Sequence, residues 1–130
     1  MAHNQEFFHT LEKLGFEGLV VTVDNHIGSR RVNTLRNDFT MPAHLNFELL
    51  LKHAKIKPQP RESFMSYYIR SNAGIELTWD SIRNIRSLSS LKIIIKGILC
   101  KEDAETCVAL KKEGLVDAIW ISNHGGRQLD

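Results

Sequence analysis

The stretch KIIIKGILCKEDAETCVALKKEGLVDAIWIS, residues 92–122, decides the fold class of this chain. It opens with an apolar, β-branched run at 92–98 and closes with a second such run at 116–122. Between them, residues 101–114 place apolar and charged side chains at helical spacing and end on Gly114. A strand, a helix and a strand joined by short links predict a right-handed βαβ unit, whose two strands are parallel.

The residues near the N-terminus repeat this alternation. The run NQEFFHTLEKL at 4–14 predicts an amphipathic helix that ends at Gly15. Its apolar stripe consists of Phe7, Leu11 and Leu14, with Phe8 at the flank. The run EGLVVTVD at 17–24 then predicts a strand that is buried on both faces, as in a parallel sheet.

A further helical pattern lies just before residue 92. The run LTWDSIRNIRSL at 77–88 has apolar residues at helical spacing, and either Thr78 or Asp80 can serve as its N-cap. Between 25 and 75 the pattern is poor, and only FELLLKHAKI at 47–56 has a helical stripe. Helices and strands therefore alternate three times, which predicts an α/β fold: part of a (β/α) barrel or of a doubly wound sheet.

The composition is that of an ordinary globular protein. The chain has 130 residues, of which 42% are hydrophobic, and a net charge of +2. This balance argues against a nucleic acid or a membrane as partner, and no apolar run reaches the length of a membrane span. Cys100 and Cys107 are expected to be free thiols in a reducing compartment. Neither terminus carries the pattern of a secretory signal or of a peroxisomal address.

All three predicted strands end in polar residues. In chain order these are Thr22, Asp24, Lys96, Ser122, Asn123 and His124. Ligands of parallel α/β folds bind beyond the carboxyl ends of the strands, so these residues predict one site. Each residue alone also has a structural interpretation: Asp24 as a turn residue or cap, Lys96 as a solvated strand end, His124 as a turn residue. Their coincidence at three strand ends favours a site.

The residue types at the strand ends indicate a chemistry. A histidine accepts a proton near neutral pH, and a neighbouring carboxylate fixes its ring. An arginine such as Arg127 binds a carboxylate through two parallel hydrogen bonds. A lysine stabilises an anion that develops on a substrate or cofactor. The set suits oxidation of a hydroxy acid if a cofactor takes the electrons, although the pair Gly125-Gly126 is too generic to identify that cofactor.

Four motifs carry a resemblance to a known family: TVD at 22–24, IKGI at 95–98, KEDA at 101–104 and SNHGGRQLD at 122–130. On these motifs the chain resembles the FMN-dependent 2-hydroxy-acid oxidases and dehydrogenases, and SNHGGRQLD is the most specific of the four. The resemblance implies a (β/α)8 TIM barrel that binds FMN at its C-terminal mouth. Residues 1–130 would form a partial FMN hydroxy-acid dehydrogenase domain, about strands four to six with their helices.

The resemblance also implies roles for individual residues. His124 would be the base that takes the hydroxyl proton, and Asp24 would stabilise the resulting imidazolium. Arg127 would bind the substrate carboxylate together with an arginine after TVD, which is Arg31 in a gap-free match and Arg30 if the match is anchored on Gly28. The expected flavin contacts are Thr22, Lys96 and Ser122. No metal site is expected.

The reaction implied by the resemblance is oxidation of a small (S)-2-hydroxy acid to a 2-oxo acid by hydride transfer to flavin, with oxygen or another electron acceptor. Intact family members are expected to be homo-oligomers and are often peroxisomal. Two alternatives stay open: a truncated, catalytically inactive product that acts at most as a binding or assembly piece, and another phosphate-binding barrel enzyme. Three strands cannot close an eight-stranded barrel. We therefore expect the 130-residue chain to fold marginally and to hold FMN weakly or not at all.

Overall fold

The computed structural model describes residues 2–25, 36–37 and 77–126. Its helices and strands, in chain order, are α1 (Ala2–Lys13), β1 (Gly18–Thr22), α2 (Trp79–Leu88), β2 (Lys92–Lys96), α3 (Lys101–Lys112) and β3 (Ala118–Trp120). All six belong to one compact unit, and residues 26–76 are assigned to a second unit. The helix predicted at 47–56 lies outside the described residues. No helix in the described part is long and apolar enough to span a bilayer.

The three strands form one parallel sheet in the order β1-β2-β3. β1 pairs with β2 along its whole length, so that Thr22 lies beside Lys96, and Lys96 lies beside Trp120 of β3. The predicted parallel arrangement is confirmed. Because the strands run in the same direction, their carboxyl ends meet at a single edge of the sheet.

The helix ends follow the local sequence signals. α1 and α3 are each followed by a glycine in the left-handed region, Gly15 with a φ of +79° and Gly114 with a φ of +75°. In both cases the N–H of the next residue donates to a carbonyl in the last helical turn, at 3.1 and 2.9 Å, which is the Schellman arrangement. At the start of α2 the backbone N–H of Thr78 donates to Ser81 Oγ at 3.1 Å. Thr78, rather than Asp80, is therefore the N-cap.

The core lies where β2 meets α2 and α3. Ile93 and Ile95 of β2 are both 0% exposed. They pack with buried side chains of the helices and adjoining loops: Ile82, Ile98, Cys107, Leu110 and Val116. Burial raises the pKa of the Cys107 thiol, which therefore stays protonated. Both cysteines are free, as expected from the sequence.

The prediction that β1 is buried on both faces is wrong, and β3 is exposed as well. Val20 of β1 is 47% exposed and Trp120 of β3 is 53% exposed. Side chains alternate between the two faces of a strand, and the described helices cover only the face that carries Ile93 and Ile95. The opposite face, with Val20, Ile94 and Trp120, is open in the described part of the chain.

The prediction that Phe7 belongs to the buried face of α1, with Phe8 at its flank, is also wrong. Phe8 is the buried phenylalanine, whereas Phe7 is 43% exposed. Glu12, four residues after Phe8 and hence on the same helical face, accepts hydrogen bonds from the hydroxyls of Ser89 and Ser90 at 3.0 and 2.9 Å. These hydrogen bonds hold α1 against the loop before β2, so that the helical face with Phe8 is the buried one.

Candidate active site

The polar ends of the three strands meet at the carboxyl edge of the sheet. The hydrogen-bond ladder continues beyond the strands, because the Val23 N–H donates to the Lys96 carbonyl at 2.9 Å and the Gly97 N–H donates to the Trp120 carbonyl at 3.0 Å. These two bonds bring the segments that follow β1 and β3 towards the end of β2. The convergence that the sequence predicted is therefore present.

The side chains of Asp24 and His124 meet at this edge. The Nδ1 atom of His124 lies 3.1 and 3.3 Å from the two carboxylate oxygens of Asp24. The Asp24 side chain is only 6% exposed, and that of His124 is 26% exposed. A buried carboxylate is costly unless donors satisfy it, so we assign the ring proton to Nδ1, which donates to Asp24. The other ring nitrogen, Nε2, then keeps a lone pair that can accept a proton.

Lys96 is the third member of this group. Its Nζ lies 3.3 Å from Nδ1 of His124 and 6.0 Å from the centroid of the Trp120 ring. An ammonium only donates, so a hydrogen bond from Lys96 would need a lone pair on Nδ1, whereas the bond to Asp24 needs a proton there. The contact with Asp24 is shorter and satisfies a buried charge, so it decides the tautomer. Lys96 is therefore a neighbouring positive charge, able to stabilise an anion at this edge.

His124 lies in a turn with unusual backbone angles. His124, Gly125 and Gly126 have φ values of +60°, +68° and +73°, all in the left-handed region. For a residue other than glycine this conformation costs about 1–2 kcal/mol. Two side chains hold the turn: the His124 N–H donates to Ser122 Oγ at 3.1 Å, and the Gly126 N–H donates to Asn123 Oδ1 at 3.0 Å. The turn thereby directs the imidazole towards Asp24.

The structure brings together four of the predicted site residues: Asp24, Lys96, Ser122 and His124. Thr22 pairs with Lys96 in the sheet and is exposed. Arg127 and the alternative arginines Arg30 and Arg31 lie outside the described residues, so their contacts with a substrate stay predictions.

Two structural roles at this edge were not predicted from the sequence. The side chain of Asn123 bonds the turn that carries His124, and an asparagine ahead of a glycine pair is a turn signal that could have indicated this role. Gly97 has a φ of +106°, and a Cβ built on it would lie 2.7 Å from Cβ of Asp24. A glycine at the end of a buried strand is a signal of close backbone approach.

The residues at this edge fit the flavin that the resemblance implies. Lys96 offers a half-buried positive charge. Ser122 Oγ accepts the N–H of His124 and keeps its own hydroxyl proton to donate, and Thr22 offers a second hydroxyl. The adjoining open face of the sheet is apolar, with Val20 and Trp120, which suits a planar ring system. Among residues 2–25, 36–37 and 77–126, no three His, Cys, Asp or Glu side chains cluster as metal ligands would.

Known proteins match this chain along nearly its whole length. Residues 1–130 match the family model described as FMN-dependent dehydrogenase. A 2-hydroxyacid oxidase 2 of Bos taurus is 38% identical over 127 residues, which are 98% of this chain and 33% of that protein. A peroxisomal (S)-2-hydroxyacid oxidase of Arabidopsis thaliana is 38% identical over 119 residues, 92% of this chain and 31% of that protein.

Solved structures of mandelate oxidases also match nearly the whole of this chain. A mandelate oxidase with (S)-4-hydroxymandelic acid matches 97% of this chain and 34% of its own, with a TM-score of 0.71 and 30% identity. A mandelate oxidase variant with the C4a-OH-FMN adduct matches 97% of this chain and 30% of its own, with a TM-score of 0.65 and 28% identity. The predicted α/β architecture, part of a barrel, is confirmed. The chain spans about a third of the length of these proteins, and it belongs to the FMN-dependent dehydrogenase family, a family of flavin-dependent oxidoreductases.

Proposed function

We propose that this chain contributes the proton-accepting histidine of an FMN-dependent enzyme that oxidises small (S)-2-hydroxy acids to 2-oxo acids. One observation carries the proposal: Nδ1 of His124 lies 3.1 Å from the buried carboxylate of Asp24, an arrangement that leaves Nε2 able to accept a proton. The names of the relatives, which are 2-hydroxyacid oxidases and a mandelate oxidase, support the class of substrate.

Each residue of the edge has a part in this reaction. His124 Nε2 takes the proton of the substrate hydroxyl, and Asp24 stabilises the positive charge that the ring then carries. FMN, when bound, supplies an acceptor for the hydride that leaves carbon 2, so that a proton and a hydride depart and a carbonyl forms. Lys96 would hold FMN through its positive charge, and Thr22 and Ser122 would hold it through their hydroxyls.

The proposal also covers binding of the substrate carboxylate, the electron acceptor, the location in the cell and the assembly of the protein. Arg127 and Arg31, or Arg30 in its place, hold the substrate carboxylate by paired hydrogen bonds, the geometry for which a guanidinium is suited. Oxygen or another electron acceptor would take up the electrons removed from the substrate. The name of the Arabidopsis relative supports a peroxisomal location, and we extend to this protein the homo-oligomeric assembly expected for intact family members.

The test is turnover of the flavin-loaded protein on glycolate, lactate and both enantiomers of mandelate, with 2-oxo acid and hydrogen peroxide measured. His124→Gln is expected to lower kcat by about 10²- to 10⁴-fold, the usual contribution of a positioned base, while the flavin absorbance spectrum persists. The matched control is His9→Gln, since the His9 side chain in α1 is 63% exposed. Wild-type turnover in His124→Gln would contradict the proposal. Weak flavin binding by the 130-residue chain alone is expected, whereas failure of a complete barrel that includes this chain to bind flavin would favour the inactive-product alternative.

A further inference from the structure

We propose that Gly97 is a positioning residue: the absence of a side chain at this position makes the space in which Asp24 reaches His124. Gly97 follows β2 directly and has a φ of +106°. A Cβ at this position would lie 2.7 Å from both Cβ and Cγ of Asp24, and 3.0 Å from its backbone nitrogen. The role of the contact in catalysis rests on the proposed function, whereas the contact itself does not.

The topology of the sheet explains why this space is needed. Asp24 follows β1 and His124 is beyond β3, and β2 lies between those two strands. Neighbouring strands are about 4.8 Å apart, so the backbones of the outer strands are separated by about 10 Å. The carboxylate must therefore cross the end of β2 to reach the imidazole. Gly97, the residue directly after β2, borders Asp24 at this crossing.

Backbone hydrogen bonds on both sides of β2 hold the strand ends together and oppose a movement that would make room for a side chain. The Val23 N–H donates to the Lys96 carbonyl on one side, and the Gly97 N–H donates to the Trp120 carbonyl on the other. The atoms that a new Cβ would meet include Cβ and N of Asp24, which move only with the backbone. An alanine at position 97 would therefore displace Asp24 as a whole and break its hydrogen bond with His124.

Other glycines show that a positive φ does not by itself bring the glycine close to another residue. Gly15 and Gly114 also have positive φ values, yet a Cβ at either would meet nothing within 4 Å. A substitution there strains the backbone without touching another residue. Gly114→Ala is therefore the matched control for Gly97→Ala, because it carries the conformational penalty and lacks the collision.

The experiment is NMR of the full chain labelled with ¹⁵N-histidine, with the His124 signals assigned by their loss in His124→Gln. We expect the wild-type ring to be protonated at Nδ1, and Gly97→Ala to shift it to a form mainly protonated at Nε2. Gly114→Ala should keep the Nδ1-protonated form. Retention of that form in Gly97→Ala would overturn the proposal. The readout needs neither flavin nor substrate, so its failure is distinguishable from failure of the proposed function.

A stability cycle tests the same collision if Gly97→Ala folds poorly. Asp24→Gly removes the side-chain atoms that the new Cβ would meet. We therefore expect Gly97→Ala to lower the urea midpoint by at most half as much in the Asp24→Gly background as in the wild type. Recovery of folding in the double variant would likewise support the proposal. Equal losses in both backgrounds, or a double variant that stays unfolded while Asp24→Gly folds, would overturn it.

Discussion

Replacing Asp24 by asparagine keeps the shape of the side chain and removes its charge. In the wild type the carboxylate accepts the Nδ1 proton of His124, with Nδ1 at 3.1 Å from the nearer oxygen. An asparagine can accept that proton only through a neutral oxygen, or it can donate its amide to Nδ1. The first arrangement stabilises the imidazolium less, and the second leaves the ring proton on Nε2, where it prevents the ring from acting as a base.

The size of the effect follows from the burial of the pair. The Asp24 side chain is 6% exposed, so water replaces little of the lost interaction. A hydrogen bond to a charged group contributes about 1.5–3 kcal/mol. At about 1.4 kcal/mol per factor of ten, kcat of Asp24→Asn is expected to fall by about 10- to 150-fold. The fall appears in kcat because the positive charge on the ring develops only as the proton is transferred.

The assay is steady-state oxidation of a 2-hydroxy acid by the flavin-loaded protein, with kcat and KM determined separately. Asp80→Asn is the matched control, since the Asp80 side chain on α2 is 88% exposed, and it should leave both parameters unchanged. A change in kcat of less than about threefold for Asp24→Asn would refute the reasoning, because the lost hydrogen bond would then be worth well under 1 kcal/mol.

Two further predictions concern folding. The pKa of Glu12 lies below its ordinary value of 4.5 because its carboxylate accepts the backbone N–H and hydroxyl of Ser90 and the hydroxyl of Ser89. Because the pKa is lower in the folded state, this stabilisation is complete above the unfolded pKa and is lost as the pH falls through the folded one. Glu12→Gln should lower the urea midpoint near neutral pH by an amount that shrinks below pH 4.5, and a pH-independent loss would contradict this. The Ile95 side chain is 0% exposed, so Ile95→Ala should lower the free energy of unfolding by about 2–5 kcal/mol. Ile121 is 74% exposed, so Ile121→Ala should change that free energy by less than about 0.5 kcal/mol. Equal losses for the two variants in urea unfolding would show that the core is elsewhere.

Local sequence patterns determined where most of the described helices and strands begin and end. The β-branched runs around Ile95 and Val20 formed strands, and Gly15 and Gly114 ended helices, because these signals act over a few residues and depend little on distant contacts. The motif SNHGGRQLD around His124 also indicated the family, since a continuous motif is recognisable without knowledge of which residues contact it in the fold.

Only the tertiary structure decided how distant residues meet. Asp24 and His124 are 100 residues apart in the chain, and their contact depends on strand order, on the turn after β3 and on the space at Gly97. The inward face of α1, centred on Phe8, likewise followed from the contact of Glu12 with a loop far along the chain. Periodicity reports which residues share a face; which face is buried, and which ring nitrogen carries the proton, depend on the partners that folding brings near.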